Sequence, residues 1–241
     1  MINSKANETY KNLLKLKKDK SYLFLDNPKL IFEAEKAGYN IEYILKTDKV
    51  ENLFDYEVIE FSESLFKTFS TTCASQGLIA VVKNKEQKLK KPSGNFLVLD
   101  GLQDPGNVGT IIRSALGANF LDIYLVDCVN ILNEKLVRSS MGAIFKTNLM
   151  EVDKKQFVEF YNNNLKTYNL VCADMNGENL FESKEKDFLG IVLGNEGNGI
   201  SEDIKKLCNK SIKIPMQNDL ESLNVAIAGG IIMYYLTNSK N

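Results

Sequence analysis

The sequence predicts an α/β protein with two domains, of which the larger is built on a mostly parallel sheet. From Phe96 onward, short apolar runs alternate with helical segments, which is the pattern of a parallel sheet covered on both faces. Residues 83–95 are polar and lysine-rich and contain Pro92, Ser93 and Gly94, as is typical of a linker. With 241 residues, 44% of them hydrophobic, the chain is long enough for a small and a medium-sized core.

The predicted N-terminal domain, residues 1–82, alternates short helices and strands. A lysine-rich amphipathic segment, YKNLLKLKKDK, precedes the strand YLFLD. We then expect a helix over 28–38, the strands IEYIL and YEVIEF, a short helix near 63–69 and the strand GLIAVV.

The predicted C-terminal domain, residues 96–241, has longer strand–helix units. Its predicted strands are FLVLD (96–100), DIYLVD (122–127), TYNLVCA (167–173), FLGIVLG (188–194) and SIKI (211–214). Its predicted helices fall near 107–118, 133–141, 154–163, 200–208 and 221–237. Active sites of such sheets lie at the carboxyl ends of the strands, so the segments that follow strands are the candidates for function.

Composition excludes several classes of function. The chain has no histidine, which removes His-dependent triads and HExxH zinc sites, and we predict no metal site. Cys73, Cys128, Cys172 and Cys208 lack CxxC spacing and are typical of buried thiols in a reducing compartment. The 30 basic residues nearly balance the 31 acidic ones, so binding of a nucleic acid would need a local basic face. Neither a membrane-length apolar run nor a signal-peptide core is evident, and we expect a soluble, cytoplasmic protein.

The first informative segment is GLQDPGNVGTIIRSA, which follows the strand FLVLD. Pro105 and Gly106 suit a tight turn, and Asn107 is a favourable N-cap for the helix. Gly109 allows another backbone or a ligand to approach closely. Arg113 is expected to lean back over Gly109 toward the helix N-terminus, where a phosphate would bind. The alternative is an ordinary capped helix with a surface arginine.

The second segment is GNEGNGISED, residues 194–203. Gly194, Gly197 and Gly199 permit positive φ angles and are expected to bring backbone groups near a ligand. Glu196 is a carboxylate that neither a helix nor a strand requires at this place. The alternatives are an ordinary turn and a dinucleotide-binding loop, and the latter is disfavoured because the GxGxxG order is absent.

The third segment is IKIPMQNDLESLNVAIAGGIIMYYL, residues 212–236. A helix is expected to begin near Ser222, which is its predicted N-cap, and Asn224 is a second polar residue at its start. The rest of the helix is apolar nearly all round, so it must be buried against neighbours or a second subunit. Gly229 and Gly230 indicate close helix packing.

Taken together, DPGNxGxIxRSA, LGNEGxGIS and IPMxxxxxSLNVAxA resemble the motifs of the SpoU/TrmH family of RNA 2′-O-ribose methyltransferases. That family belongs to the SPOUT superfamily, and the resemblance implies a trefoil-knotted, parallel-sheet methyltransferase domain over 96–241. Residues 1–82 resemble the family's RNA substrate-binding domain, which is similar to small RNA-binding ribosomal proteins. Residues 83–95 would link the two.

The resemblance implies an S-adenosylmethionine-dependent enzyme that methylates a ribose 2′-hydroxyl, with ribosomal RNA as the first choice of substrate. It also implies a homodimer. The positions it assigns to catalysis are Asn107, Arg113, Glu196, Ser222 and Asn224. Those it assigns to the cofactor are Leu193, Gly194, Ile214, Met216, Leu220 and Leu223. Candidate RNA contacts are Arg113, Arg138, Lys17, Lys18 and Lys20.

Within this scheme Arg113 clamps a phosphate, and Glu196 orients Arg113. Asn107 and Asn224 hold the loops and the ribose, and Ser222 holds the third loop. A guanidinium is a poor base because it stays protonated in proteins.

The chain departs from the family pattern at Lys20, Asp26 and Asn27 and carries Asn119 where a glycine is usual; asparagine tolerates the left-handed cap conformation. Three other functions stay open at this point: a transfer RNA 2′-O-methyltransferase, a non-catalytic RNA-binding protein of the same fold, and a nucleotide-dependent oxidoreductase. The last is disfavoured by the absence of GxGxxG and of histidine.

Overall fold

The computed structural model describes residues 1–72, 75–85, 88–183, 189–218 and 221–238. The chain divides into two compact units, Met1–Glu86 and Gln87–Asn241, which we call unit 1 and unit 2. Cys73 and Leu220, for which the sequence predicted a reduced thiol and a cofactor contact, lie outside the described residues.

Among its described residues, unit 1 has a mixed four-stranded sheet and three helices. Its elements are α1 Glu8–Leu16, β1 Tyr22–Leu25, α2 Pro28–Lys36, β2 Asn40–Lys46, β3 Val58–Glu60, α3 Glu63–Phe66 and β4 Leu78–Lys83. The strand order is β1-β4-β2-β3, in which β4 pairs antiparallel with both neighbours and β3 pairs parallel with β2. Its core is aromatic: the rings of Tyr10, Phe61 and Phe69 lie 5.3 to 6.2 Å apart, as is favourable for edge-on and tilted contacts.

Asp26 of unit 1 is a buried carboxylate that binds residues 70–72 and Ser75. It accepts hydrogen bonds from the hydroxyls of Ser70, Thr72 and Ser75 and from the Thr71 N–H. A buried carboxylate is stable only when its lone pairs are satisfied, and these donors supply that.

Unit 2 is a six-stranded sheet in which every pairing is parallel. Its strands are β5 Phe96–Asp100, β6 Asp122–Val126, β7 Asn148–Val152, β8 Asn169–Asn179, β9 Leu189–Gly194 and β10 Lys210–Lys213. Its helices are α4 Pro105–Gly117, α5 Glu134–Ser139, α6 Lys154–Asn164, α7 Glu202–Lys205 and α8 Val225–Asn238. The order is β10-β8-β9-β5-β6-β7. The predicted parallel α/β class is confirmed; the strand β7, at the edge of the sheet, was not predicted.

Both faces of this sheet are covered. Phe96 and Val98 of β5 share a fully buried cluster with Phe157 of α6. Leu193 of β9 lies on the other face, where its side chain is against Gly229 of α8. Burial on both faces explains why these strands read as continuous apolar runs.

Asn119, which follows α4 at a position where the family usually has glycine, adopts the left-handed conformation that asparagine tolerates. Asn119 has φ 62°, the left-handed conformation, immediately after the C-cap Ala118. The Phe120 N–H then donates to the Ala115 carbonyl at 2.8 Å, which closes a Schellman motif. Asparagine therefore replaces glycine here without loss of the helix stop.

Strand β8 leaves its register with β10 next to the motif loops. Cys172 lies opposite Ser211, but the next partner of β10, Ile212, lies opposite Glu178. Residues 173–177 consequently bulge out of the ladder, and we call this segment the β8 bulge. Among the described residues, no helix is long and apolar enough to cross a membrane.

Candidate active site

The three predicted motif segments meet at the carboxyl edge of the unit 2 sheet. They follow β5, β9 and β10, and a cavity of about 590 Å³ lies beside them. The cavity is bounded by the β8 bulge, the end of β9 with the loop 194–200, the segment that follows β10, and the start of α8. Its apolar lining comprises Ala173, Met175, Leu193, Ile200, Ile212, Ile214, Met216, Leu223, Val225, Ala228 and Ile232. Its charged lining residues are Asp174, Glu196, Lys213 and Glu221.

A chain of side-chain hydrogen bonds joins the three segments. The Nδ2 of Asn107 donates to the Oε1 of Glu196 at 2.8 Å. The Nδ2 of Asn224 donates to the Oδ1 of Asn107 at 3.0 Å. Asn107 therefore uses both ends of its amide, once as donor and once as acceptor, which is what an asparagine side chain can do and a carboxylate cannot. We call this arrangement the Glu196–Asn107–Asn224 chain.

The cap of α4 leaves Asn107 free for this role. The helix begins at Pro105, and its N-cap is Asp104, whose Oδ1 accepts from the Asn107 N–H at 2.8 Å. The prediction that Asn107 is the N-cap was wrong, because proline suits the first helical position and moves the cap one residue before it. Asp104 also accepts from Lys135 Nζ at 2.9 Å; this bond and the Asn107 N–H lower the pKa of its carboxyl.

Asn224, not the predicted Ser222, caps α8. The helix begins at Val225, and the Asn224 Oδ1 accepts from the N–H groups of Ala226 at 2.9 Å and Ile227 at 3.4 Å. The oxygen of this side chain thus caps the N-terminus of α8, and its amide nitrogen donates to Asn107. Ser222 precedes the helix as an exposed residue that lines the cavity.

The glycine-rich loop is held by Asn195, which the sequence analysis did not select. Its Oδ1 accepts from the Gly197 N–H at 2.9 Å, and its Nδ2 donates to the Gly101 carbonyl at 2.8 Å. Gly199 alone of the three loop glycines has a positive φ, 68°. Gly194 and Gly197 do not use the freedom that glycine gives; Gly194 is required because a Cβ would lie 2.4 Å from the backbone of Gly199. An asparagine beside glycine is a turn signal that could have identified Asn195.

Most of the predicted site residues come together. Those that line the cavity are Leu193, Gly194, Glu196, Ile214, Met216, Ser222, Leu223 and Asn224. Asn107 joins them through its two hydrogen bonds.

Arg113 does not join them. It is an exposed residue of α4, and α4 contributes none of the described residues that line the cavity. Within the described ranges its guanidinium has neither an ion pair nor a hydrogen bond, and Glu196 contacts Asn107 instead, so the predicted orientation of Arg113 by Glu196 was wrong. Gly109 is not bare either: a Cβ there would lie 2.1 Å from the Ser139 Oγ of α5. Gly109 therefore allows two helices to approach rather than a ligand.

The other predicted RNA contacts differ in accessibility. Lys17 donates to the carbonyls of Thr68 at 3.0 Å and Phe69 at 3.2 Å, so its ammonium stabilises unit 1. Lys18 and Lys20 are exposed, and Arg138 is half-buried at the end of α5 and has a partner.

A parallel α/β sheet with polar loops converging on a nucleoside-sized cavity at its carboxyl edge defines a class of enzymes that bind a nucleotide-like ligand there. The comparisons with known proteins specify the class further. The model of the SpoU rRNA methylase family matches residues 94–234, more than half of the chain. The chain belongs to this family, and the predicted membership is confirmed.

Individual relatives agree with this assignment. The 23S rRNA (guanosine(2553)-2′-O)-methyltransferase RlmP of Bacillus subtilis (strain 168) is 30% identical over 97% of this chain and 96% of its own. A putative RNA methyltransferase of the TrmH family from Porphyromonas gingivalis is 28% identical, with a TM-score of 0.82 over 98% of both chains. The SpoU methyltransferase AviRb from Streptomyces viridochromogenes, solved in complex with AdoMet, has a TM-score of 0.81 over 96% of this chain and 98% of its own. At 22% identity, this last likeness shows the fold alone.

Proposed function

We propose that the protein is an S-adenosylmethionine-dependent RNA methyltransferase that methylates a ribose 2′-hydroxyl of ribosomal RNA. The observation that carries this function is the Glu196–Asn107–Asn224 chain, which holds all three family motifs against one cavity. RNA rather than a small acceptor is expected because of the family, and ribosomal RNA because of the likeness to RlmP over nearly the whole chain.

The residues of the cavity fit S-adenosylmethionine. A volume of about 590 Å³ lies within the usual range for ligand pockets, and the apolar walls suit an adenine ring. Of the described charged lining residues, Asp174 is paired with Lys205, and Lys213 offsets one of the two glutamates, so a net negative charge remains that favours a cationic ligand such as a sulfonium. Leu193, Gly194, Ile214, Met216 and Leu223 would hold the cofactor.

When bound, the cofactor supplies an already activated methyl group, so the protein acts chiefly by positioning. Glu196 and Asn224 belong to both the cavity wall and the hydrogen-bonded chain, and Asn107 keeps the two at a set separation. These three residues hold the acceptor ribose at the mouth of the cavity.

Arg113 holds the RNA outside the cavity. An exposed guanidinium without a partner among the described residues is available for a phosphate, for which its planar fork is well suited. Its absence from the described cavity lining favours the role of phosphate clamp over that of base.

A homodimer is the second part of the proposal. Helix α8 exposes Ile227 at 57% and Tyr234 at 48%, seven residues apart and therefore on one face. Phe181, exposed at 51%, lies beside this helix, because its ring contacts Tyr235 at 5.3 Å. An exposed apolar stripe beside the cavity is typical of an interface, and a second copy of the chain is the partner that it fits.

The expected compartment is the cytoplasm. A ribosomal RNA substrate lies there, and Cys128, Cys172 and Cys208 are free thiols, as is typical of a reducing environment.

The experiment that tests the function is a map of ribose methylation. Ribosomal RNA from cells that lack the protein is expected to lose one 2′-O-methyl group, and the purified protein with S-adenosylmethionine is expected to restore it. Unmodified transfer RNA serves as the competing substrate. If the protein methylates transfer RNA alone, transfer RNA takes the place of ribosomal RNA as the proposed substrate. If it methylates neither RNA, the proposed function is contradicted.

A further inference from the structure

The β8 bulge places a carboxylate in the cavity wall that the family motifs do not account for. Residues 173–177 leave the β8–β10 ladder, and Ala173, Asp174 and Met175 of this segment line the cavity. The bulge is anchored where it ends, because a Cβ on Gly177 would lie 2.5 Å from the backbone nitrogen of Ile212. Asp174 therefore lies on a segment whose position is set by close backbone packing.

Two donors fix the Asp174 carboxylate. Its Oδ1 accepts from the Asn176 N–H at 2.9 Å, within the bulge itself. Its Oδ2 accepts from Lys205 Nζ of α7 in an ion pair. The side chain is only 17% exposed, so the ion pair is protected from solvent on the Asp174 side. The Lys205 hydrogen bond lowers the pKa of this carboxyl, which keeps it ionised and able to accept hydrogen bonds.

The remaining acceptor capacity of this carboxylate is open to a donor on a ligand in the cavity. Each carboxylate oxygen can accept two hydrogen bonds, and one per oxygen is used, so two sites remain. The donors on S-adenosylmethionine are the 6-amino group of adenine, the two ribose hydroxyls and the α-ammonium group. Lys205 already balances the charge of Asp174, which reduces the attraction for a second cation but not the ability to accept from neutral hydroxyls.

The neighbours of Asp174 favour the ribose. Ala173, Met175, Ile212 and Ile214 line the same cavity, and such apolar side chains hold an adenine ring better than a charged amino-acid group. The ribose is joined directly to that ring. Two adjacent hydroxyls also match the two free acceptor sites of one carboxylate.

Resting on the proposed function, we infer that Asp174, held by Asn176 and Lys205, accepts hydrogen bonds from the 2′- and 3′-hydroxyls of the cofactor's ribose and so determines specificity for a ribonucleoside. Lys205 is a positioning residue in this arrangement. The sequence did not reveal it, because Asp174 and Lys205 meet only through the bulge and α7.

Calorimetric titration of the full chain tests the inference without turnover. The probes are S-adenosylhomocysteine, its 2′-deoxyadenosyl analogue, and 5′-methylthioadenosine, which lacks the amino-acid group. Asp174→Ala is expected to lower the affinity for S-adenosylhomocysteine and for 5′-methylthioadenosine by the same factor, about 10- to 100-fold, as is usual for the loss of hydrogen bonds to a charged group. The 2′-deoxy analogue is expected to bind the unchanged protein more weakly than S-adenosylhomocysteine does. Its affinity is expected to fall by a smaller factor on Asp174→Ala.

Glu178→Ala is the matched control. Glu178 lies on the same strand and pairs with Lys210 at 3.1 Å, but it is not among the described residues that line the cavity. The substitution also removes a carboxylate–lysine pair, in this case an exposed one, and is expected to leave all three affinities unchanged. If thermal unfolding shows that Asp174→Ala is not folded, Asp174→Asn replaces it; this substitution keeps the size and loses one acceptor, and about a 10-fold loss of affinity is expected.

The outcomes are distinct. If Asp174→Ala loses affinity for S-adenosylhomocysteine alone, Asp174 contacts the ammonium group. If it loses the same affinity for S-adenosylhomocysteine and for the 2′-deoxy analogue, the contact with the 2′-hydroxyl is excluded. Either result overturns the inference. Unchanged affinity for Asp174→Ala overturns it as well while the proposed function stands. Failure of the unchanged protein to bind S-adenosylhomocysteine would overturn the proposed function and this inference together.

Discussion

At the scale of single residues, Asn107 is the position on which the site depends most directly. Its amide nitrogen donates to Glu196 and its amide oxygen accepts from Asn224, so no other side chain of the same shape satisfies both partners. A network of side-chain hydrogen bonds is specific when every donor and acceptor in it has a partner, and it loses this specificity when one partner is missing.

We therefore predict that Asn107→Asp lowers the rate of methyl transfer about 100-fold or more while the protein stays folded. A displacement of the reacting groups by about 1 Å is enough for a loss of this size. The new carboxylate cannot donate to Glu196 and repels it. Single-turnover kinetics would measure the change. Asn163→Asp, on the exposed surface of α6, is the control for the added charge. Equal rates for the two variants would show that the Glu196–Asn107–Asn224 chain has no part in the reaction.

Arg113 leads to a separate prediction, because it lies outside the described cavity lining. Arg113→Ala is expected to reduce methyl transfer at least about 100-fold and to leave the affinity for S-adenosylhomocysteine nearly unchanged. Arg113→Lys keeps the charge but loses the bidentate geometry and is expected to recover only part of the rate. Lys155→Ala, an exposed position on α6, controls for the loss of one positive charge. Retained turnover in Arg113→Ala would remove this arginine from the mechanism.

At the scale of elements, the close approach of α4 and α5 sets where Asn107 and Arg113 are presented. Gly109 makes this approach possible, since a Cβ would lie 2.1 Å from the Ser139 Oγ and 2.6 Å from the Leu136 carbonyl oxygen. Asp104 adds a second link between the helices through Lys135. Packing rather than ligand binding thus explains a glycine inside a family motif.

Gly109→Ala is accordingly predicted to destabilise the protein by about 1–3 kcal/mol, the usual cost of an overpacked contact. Gly230→Ala, in α8, is the matched control, because the nearest atom of its own subunit to the added Cβ is 3.9 Å away; both variants are compared at a concentration at which the chain is monomeric. It is expected to stabilise the protein by about 0.4–1 kcal/mol, since alanine restricts the unfolded chain. Chemical denaturation of both variants would measure the difference, and equal midpoints would show that α4 and α5 adjust freely.

At the scale of the whole molecule, the exposed stripe of α8 determines the proposed assembly. Ile227 and Tyr234 remain accessible although the rest of this apolar helix is largely covered by unit 2. The cavity also uses the start of α8, so an interface on this helix would lie next to the cofactor site.

We predict that Ile227→Glu raises the dissociation constant of the dimer about 100-fold or more, because a charge would be buried at the interface. Leu53→Glu is the control, since Leu53 is equally exposed, at 59%, but belongs to unit 1. Analytical ultracentrifugation would compare both variants with the unchanged chain. A monomeric unchanged chain at micromolar concentration would contradict the proposed dimer.

The sequence by itself determined the class of the fold, the order of the unit 2 strands other than β7, the family, and the three segments that carry the site. These follow from local patterns: apolar periodicity, glycine and proline in turns, and motif residues at fixed spacing. The tertiary structure alone decided which side chains meet. Glu196 contacts Asn107 rather than Arg113, Gly109 faces a helix, and Asp174 reaches Lys205 through a bulge. Contacts between residues that are distant in the chain depend on register and helix approach, and neither is encoded by a pattern within a single segment.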